Sequence, residues 1–265
     1  MTVSTGPSRF NRLSIVIVMA FLYLPIMILI IFSFNKSKLV TVWGGFSTQW
    51  YASALSNAAL LDGARVSFTV AAVSATIATL LGLLAALVMV RIRRFRGRQL
   101  FTGLLAAPMV MPEVVLGVSM LLMFVALGIN RGPLTIILAH ATFTMCFAAV
   151  VLQSRLTELD PSLEEAARDL GCPPATAFLK VALPNILPAL TSAWLLSFTL
   201  SLDDLVISSF TTGPGASTLP MKIYSQIKFG VTPEINAVST IILGIVALGL
   251  LIVALTTRRA GEDLH

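Results

Sequence analysis

Charged residues are scarce in this chain. Asp, Glu, Lys and Arg make up 11% of its 265 residues, whereas hydrophobic residues make up 57%. A soluble globular domain averages about 25% charged residues. The composition therefore excludes an ordinary soluble domain and is typical of a protein that crosses a membrane several times.

Cysteine is also rare, and a nucleotide-binding motif is missing. The two cysteines, Cys146 and Cys172, show no spacing typical of a disulfide framework or a metal site. The chain has no G-x-x-x-x-G-K-[ST] phosphate loop, and every polar connection is too short to hold a nucleotide-binding domain. We therefore expect no cofactor, no metal, no nucleic-acid partner and no catalytic activity in the chain itself.

Long apolar runs dominate what is present. A spanning helix needs about 20 mostly apolar residues, and we predict an all-α polytopic membrane protein with six such helices. They cover approximately residues 13–34, 66–90, 100–127, 134–152, 189–210 and 237–255. The first run is too long for the apolar part of a signal peptide and no A-x-A-like site follows it, so we expect it to remain as a span.

The distribution of Lys and Arg predicts the orientation. With the N-terminus inside, twelve of the 18 Lys and Arg residues fall on the inner side, and five of these lie in the short stretch RIRRFRGR. Cytoplasmic loops carry the excess of positive charge. We therefore expect residues 1–12 and 256–265 inside the cell, residues 35–65 as an outer connection, and residues 66–255 as a five-helix core.

The inner loop at residues 158–184 has the pattern of two short helices. Gly171 stands where a left-handed residue ends a helix, and Pro184 is expected to end the second helix. The first helix can begin at Asp160 or through a capping box of Ser162 and Glu165. Helices this short are marginal in water, so the loop either docks another protein or packs only on its own chain.

Three acidic residues, Glu113, Asp203 and Asp204, fall within predicted spans. Charges at membrane depth are costly and usually mark a pathway or a paired site. At a rise of about 1.5 Å per residue, Glu113 and Asp203 lie at one level, about 20 Å from the inner ends of their helices. Pro108 and Pro112 are expected to loosen the helix before Glu113. These carboxylates line a cation path or have a structural role.

The inner loop also resembles a known motif. The loop resembles the EAA motif of permease subunits of bacterial ABC importers. The matching residues are Glu165-Ala166-Ala167, then Gly171 after three residues, Val181 after nine more, and Leu183-Pro184 after one more. The family usually has Ile at the position of Val181. The resemblance implies that this loop couples the permease to a cytoplasmic ATPase, through Glu164, Glu165, Ala166, Ala167, Gly171, Leu183 and Pro184.

The family resemblance implies an assembly and a fold. We expect the type I ABC-importer permease architecture in a bacterial inner membrane, with two ATPase subunits, a second permease subunit that is identical or related, a periplasmic substrate-binding protein and surrounding lipid. The segments APMVMPEVVLG and SFTLSLDDLVISSF resemble the permeases of spermidine/putrescine-type importers. The expected substrate is a polyamine, and the alternative is another small solute such as iron.

Two other classes of membrane protein also have acidic residues within their spans. An intramembrane aspartyl protease needs two aspartates on different spans, whereas Asp203 and Asp204 are adjacent on one. A stand-alone secondary transporter suits acidic residues in spans, but inverted repeats would favour it and none stands out. A secondary transporter needs no ATPase chain, so co-purification separates it from an importer subunit.

The predicted orientation can be tested by thiol labelling. In a chain whose two native cysteines are replaced by serine, a cysteine placed in the 92–98 loop should be shielded from an impermeant reagent applied outside. A cysteine at Ser217 should react, because this position lies on the predicted outer side. The reverse labelling pattern would overturn the orientation.

Overall fold

The computed structural model describes residues 9–39, 42–92, 94–228, 230 and 232–262. Twelve α-helices and no strand occur in this part of the chain, so the all-α prediction is confirmed. The helices are α1 (Arg9–Ser33), α2 (Gln49–Ser56), α3 (Ala58–Arg91), α4 (Arg98–Val110), α5 (Glu113–Ala126), α6 (Pro133–Glu158), α7 (Ser162–Asp169), α8 (Pro174–Ala177), α9 (Leu183–Leu202), α10 (Val206–Thr211), α11 (Leu219–Ile227) and α12 (Pro233–Glu262).

The chain divides into two units. The first contains the residues up to Leu61 together with Ser225–Leu248, and the second contains Asp62–Tyr224 with the residues from Gly249 onward. Both polar regions of interest, the predicted carboxylates and the inner loop, lie in the second unit.

In the first unit, the connection between α1 and α2 folds around the buried side chain of Asn35. Its amide nitrogen donates to the carbonyls of Leu39 (3.2 Å) and Val42 (2.8 Å). Its side-chain oxygen accepts the backbone N–H groups of Ser37 (3.1 Å) and Gly44 (2.8 Å). One buried amide therefore pairs with four backbone groups of the described residues 37–39 and 42–44.

Five of the six predicted spans have counterparts among the described residues. The helices α1, α3 and α6 and the continuous segment Pro174–Leu202 are long and apolar enough to cross a membrane, and α4 with α5 adds a fifth span if the pair is counted as one. The sixth stretch, 237–255, lies in α12, whose described apolar part, Pro233–Gly249, falls short of a full span. The count of six stays a prediction.

The third predicted span is broken at its proline. The axes of α4 and α5 differ by 114°, and Met111 between them is extended, with φ −75° and ψ 142°. A proline disfavours the helical conformation of the residue before it, so Pro112 accounts for the break, whereas Pro108 lies inside α4. The straight-helix estimate of the depth of Glu113 is therefore wrong.

The fifth predicted span is also discontinuous. The helix α9 ends at Leu202, and α10 begins at Val206 after three residues without helical structure. The prediction of one helix over 189–210 is wrong because the backbone N–H groups at the start of α10 are satisfied by a side chain within the break. The short helix α10 packs against α5 and α6.

Pro184 does not end the second loop helix, contrary to the expectation from sequence. A π-helical turn, Phe178–Ala182, joins α8 to α9, and the N–H of Leu183 donates to the carbonyl of Phe178. This turn shifts the hydrogen-bond ladder by one residue just before Pro184, so the proline, which lacks an N–H, is accommodated in the first turn of α9. The loop therefore continues into the membrane as helix.

Small residues allow the long helices of the second unit to pack closely. A Cβ atom at Gly82 of α3 would lie 2.9 Å from the Cβ of Ala148 and from the backbone nitrogen of Ala149 in α6. Glycine and alanine at such contacts are typical of helices that associate in membranes. The surrounding core combines residues of α3, α6 and α9: Leu83, Ala86, Ala148, Leu152, Leu156, Ile186 and Ala193.

Candidate functional site

Two polar regions interrupt the apolar helices of the second unit. The first, called the helix-break site, consists of Glu113, Asp203, Asp204 and His140 near the breaks between α4 and α5 and between α9 and α10. The second, called the inner loop, is residues 158–184, between α6 and the first turn of α9. Each contains a buried ionisable side chain that must be satisfied within the protein.

The structure brings two of the predicted carboxylates together. Glu113 is the first residue of α5 and Asp203 follows the last residue of α9, and both side chains are exposed. Asp203 lies within electrostatic range of Glu113 and also of Asp204 and His140. Each of the two helix breaks therefore presents an exposed carboxylate, and the two carboxylates interact electrostatically.

The ends of α5 and α9 also contribute to the electrostatic potential at Glu113 and Asp203. Glu113 lies at the N-terminus of α5, where the positive pole of the helix favours a carboxylate. Asp203 lies at the C-terminus of α9, where unpaired carbonyl groups make the local potential more negative. A cation beside Asp203 would thus be attracted by its carboxylate and by the end of the helix.

Gly117 allows α5 and α10, the helices that follow the two breaks, to pack closely. A Cβ atom at Gly117 of α5 would lie 2.6 Å from a ring carbon of Phe210 and 3.4 Å from the Cα of Ile207, both in α10. The two short helices can approach this closely because residue 117 is glycine. Their contact forms one core with α6, made of Leu116, Met120, Phe124, Ala139, Phe143 and Ile207.

Asp204 is buried, in contrast to its neighbour, with 8% of its surface exposed. Its carboxylate accepts the backbone N–H groups of Ile207 (3.2 Å) and Ser208 (2.7 Å). These donors belong to the first turn of α10, where N–H groups have no partner within the helix. Asp204 therefore satisfies the start of α10 from within the break.

His140 of α6 is the buried partner of Asp204. Its Nε2 atom lies 3.1 Å from Oδ2 of Asp204 and 3.0 Å from Oγ of Ser208. Its Nδ1 atom lies 2.6 Å from Oγ of Ser201, which is 3.0 Å from Oγ of Ser74 in α3. The imidazole thus connects α6 to α9, to the break and to α10, and both ring nitrogens have partners.

In the inner loop, Asp160 marks the beginning of α7. The backbone N–H of Ser162 donates to its carboxylate at 2.9 Å, and this bond, together with one from the Ser162 hydroxyl, lowers the pKa of Asp160. No capping bond from a side chain of α7 itself is present at this end. Of the two starts that the sequence left open, the structure favours Asp160.

Glu164 fixes α7 to the end of α3. Its side chain is 11% exposed, and its two carboxylate oxygens accept hydrogen bonds from the Arg91 guanidinium, one of them at 2.8 Å and the other from Nη2. The same guanidinium lies over the ring of Phe178, 5.9 Å from its centroid. The end of α3, α7 and the π-helical turn are therefore held by one arginine.

The other side of α7 faces away from the chain. Leu163 is 44% exposed and Leu170 is 87% exposed, and Glu165 is also exposed. Beside them is an open cleft of about 580 Å³ lined by Glu165, Arg168, Asp169, Gly171, Cys172, Pro173 and Pro174. These two leucines are therefore left uncovered by the part of the chain that the structure describes.

Gly171 ends α7 as the sequence predicts. Its φ angle is +89°, its N–H donates to the carbonyl of Arg168, and the N–H of Cys172 donates to that of Ala167. A side chain at a positive φ is strained. The glycine lets the chain reverse between the two helices of the loop, so the exposed side of α7 has a defined shape.

Sequence reasoning missed His140 and Arg91. His140 is one of two histidines in the chain and stands alone in an apolar run, which was a signal for a buried paired residue. In the sequence, Arg91 contributes to the positive charge that predicts the orientation, and nothing there indicates its partner. Glu164 and Arg168 have the i,i+4 spacing of a helical ion pair, but the structure pairs Glu164 with Arg91.

Known families and proteins resemble this chain. A family described as "Binding-protein-dependent transport system inner membrane component" matches residues 78–259. The putrescine transport system permease protein PotI of Escherichia coli K12 is 54% identical over 234 residues, which are 86% of this chain and 83% of that protein. The spermidine/putrescine transport system permease protein PotC of Haemophilus influenzae is 44% identical over 244 residues, 92% of this chain and 94% of that protein.

Solved structures share the fold at low identity. A chain of a bacterial ABC transporter involved in the import of alginate superposes with a TM-score of 0.71 at 16% identity, and the match covers 94% of each chain. A chain of the MetNI methionine transporter gives a TM-score of 0.62 at 18% identity and covers 78% of this chain and 96% of that one. Both matches extend over most of the helices described above.

The anchoring of α7 can be tested by amide exchange. Glu164→Gln keeps the shape of the side chain but removes its charge from the pair with Arg91. We expect α7 to be destabilised by about 1–2 kcal/mol, less than a fully buried pair because the Arg91 side chain is 43% exposed. Hydrogen–deuterium exchange of a peptide covering 162–170 should then accelerate by about 5- to 30-fold.

Glu165→Gln is the matched control, because it makes the same chemical change one residue further on, at an exposed position. Its exchange should remain close to that of the unaltered protein. Equal acceleration in both variants would show that the contact with Arg91 does not hold α7.

Proposed function

The chain belongs to the family of inner-membrane components of binding-protein-dependent transport systems, and from this premise we propose that it carries polyamines, putrescine or spermidine, from the periplasm to the cytoplasm. The resemblance to ABC-importer permeases drawn from the EAA-like loop is confirmed by the family match over residues 78–259. The chain is a permease subunit of an ABC transporter, and the ATPase is a separate subunit.

The proposed assembly has two ATPase subunits, a second permease subunit that is identical or related, and a periplasmic binding protein. In this proposal both termini lie in the cytoplasm and residues 35–65 in the periplasm. The excess of Lys and Arg on the inner side supports this orientation. The inner loop then faces the ATPase subunits, and the carboxylates lie along the route of the substrate.

The proposed substrate rests on one observation: Glu113 and Asp203 are neighbouring exposed carboxylates in a chain 54% identical to a protein named as a putrescine permease. Two carboxylates that share a site repel each other. A molecule with two or more ammonium groups relieves this repulsion, which a neutral or anionic solute cannot do. The charges of the site thus match a polyamine.

The three carboxylates differ in their proposed roles. Asp203 and Glu113 contact the substrate, because their side chains are exposed. Asp204 lies behind them, buried against His140, and contributes negative potential to the path without touching the substrate. The helix C-terminus beside Asp203 contributes in the same sense.

The inner loop is proposed to receive the motion of the ATPase. Glu165, Ala166 and Leu170 lie on the exposed side of α7 and are available to a partner. Gly171 gives this surface its shape through its positive φ. Glu164 holds α7 to α3, and Leu183 with Pro184 passes the loop into α9 through the π-helical turn.

The cation path can be tested by uptake of labelled putrescine and spermidine. Glu113→Gln and Asp203→Asn remove charge but keep shape, so we expect the apparent affinity to fall by about ten-fold for each. Asp204→Asn should lower the amount of folded protein in the membrane as well, because this carboxylate satisfies the start of α10. Membrane levels are measured in parallel.

Glu158→Gln serves as the control for loss of a carboxylate away from the helix-break site, since this side chain is exposed at the end of α6 and pairs with Arg155 three residues earlier. If Glu113→Gln and Asp203→Asn both retain the uptake of the unaltered protein at equal membrane levels, the carboxylates are structural and the polyamine assignment loses its physical support.

Coupling to the ATPase can be tested separately. Glu165→Lys reverses a charge on the exposed side of α7, and Gly171→Val strains a residue at a φ of +89°. We expect both to reduce ATP-driven uptake several-fold while membrane levels remain normal. Normal uptake by both loop variants would refute the coupling role.

A further inference from the structure

His140 occupies an unusual position relative to the break between α9 and α10. Its imidazole is 1% exposed and contacts one residue on each side of the break and one within it. These are Ser201 before the break at 2.6 Å, Asp204 inside it at 3.1 Å, and Ser208 after it at 3.0 Å. A single planar ring on α6 therefore sets the separation of the two helix ends.

The carboxylate of Asp204 depends on this ring. Among the side chains described around it, His140 and Ser208 are its partners, while Asp203 carries the same charge next to it. A buried carboxylate that loses a side-chain partner is strongly destabilised. Without the imidazole, Asp204 would keep the backbone N–H groups of Ile207 and Ser208 but would no longer be tied to α6.

Asp203 immediately precedes Asp204 in the chain, so its direction follows from how Asp204 is held. Asp203 is exposed while Asp204 is buried, and this opposite orientation requires the backbone of the break to stay in one conformation. The N–H of Asp203 donates back to the carbonyl of Thr199 in α9. On the other side of the break, α10 packs on α5 and α6, and within the break Asp204, together with Ser208, bonds to His140.

We propose that His140 is a positioning residue for transport: by holding Asp204 and Ser208 it fixes the α9–α10 break so that the Asp203 carboxylate faces the polyamine path. This inference rests on the proposed function, in which Asp203 contacts the substrate. His140 itself is buried and, in this proposal, does not touch the substrate. It acts on affinity only through the placement of its neighbours.

A double-mutant cycle separates positioning from general stability. His140→Gln replaces the ring by a flexible amide that cannot bridge both sides of the break at once. It is combined with Asp203→Asn, and the concentration of labelled putrescine that gives half-maximal uptake is measured for both single variants and the double variant. The assay uses cells that contain the complete transporter and no other polyamine importer, with membrane levels measured for each variant.

We expect His140→Gln to raise the half-maximal concentration by about ten-fold when Asp203 is present, and by less than about two-fold when Asp203 is already Asn. A residue that only stabilises the fold would change the maximal rate in proportion to the membrane level. It would leave the half-maximal concentration unchanged in both backgrounds.

Ser208→Ala provides a milder variant in case His140→Gln does not reach the membrane. It removes one contact of the imidazole and should show the same dependence on Asp203 with a smaller shift, about three-fold. Thr79→Val is the matched control, because the Thr79 hydroxyl is buried in α3 and donates to the carbonyl of Ala75 in its own helix. It should leave the half-maximal concentration unchanged.

Three outcomes would overturn the proposal. An unchanged half-maximal concentration in His140→Gln, or in Ser208→Ala where that variant carries the test, shows that the ring does not position the path. An equal shift in both backgrounds shows that it acts independently of Asp203. Normal uptake by Asp203→Asn alone shows instead that the proposed path is wrong, and the positioning role falls with it.

Discussion

The contact between Asp204 and His140 is the interaction on which the middle of the second unit depends. An unwound stretch of backbone and a buried carboxylate are both costly among apolar helices. Asp204 removes both costs together, because its oxygens accept the unpaired N–H groups of α10 and its remaining capacity is used by a ring anchored in α6. The exposed position of Asp203 is possible because its neighbour is satisfied in this way.

The inner loop shows the same principle in more polar surroundings. Glu164 turns inward and binds Arg91, so the residues next to it on α7 are left on the outer side. In both regions two adjacent acidic residues divide the work: one is buried and paired, and the other is exposed. Asp203 and Asp204 form one such pair, and Glu165 and Glu164 form the other.

The sequence does not show which acidic residue of each pair is buried, although it does predict some of the local backbone features around them. Gly171 and Pro112 were predictable because their backbone constraints are local. The choice between Asp203 and Asp204, and the pairing of Glu164 with Arg91, depends on residues 64 and 73 positions away in the chain. Pro184 was wrongly expected to end the second loop helix. The local rule that proline ends helices does not hold here, because the π-helical turn before Pro184 accommodates it.

The helical path from the inner loop into the membrane has a mechanical consequence. Pro174–Leu202 forms a continuous segment of 29 residues, about 43 Å long at the rise of an α-helix, with the loop at one end and Asp203 immediately after the other. Such a segment is expected to tilt as a rigid body. A tilt of about 10° around the loop end would displace the far end by about 7 Å for this length, which is enough to carry a carboxylate from one side of a narrow passage to the other.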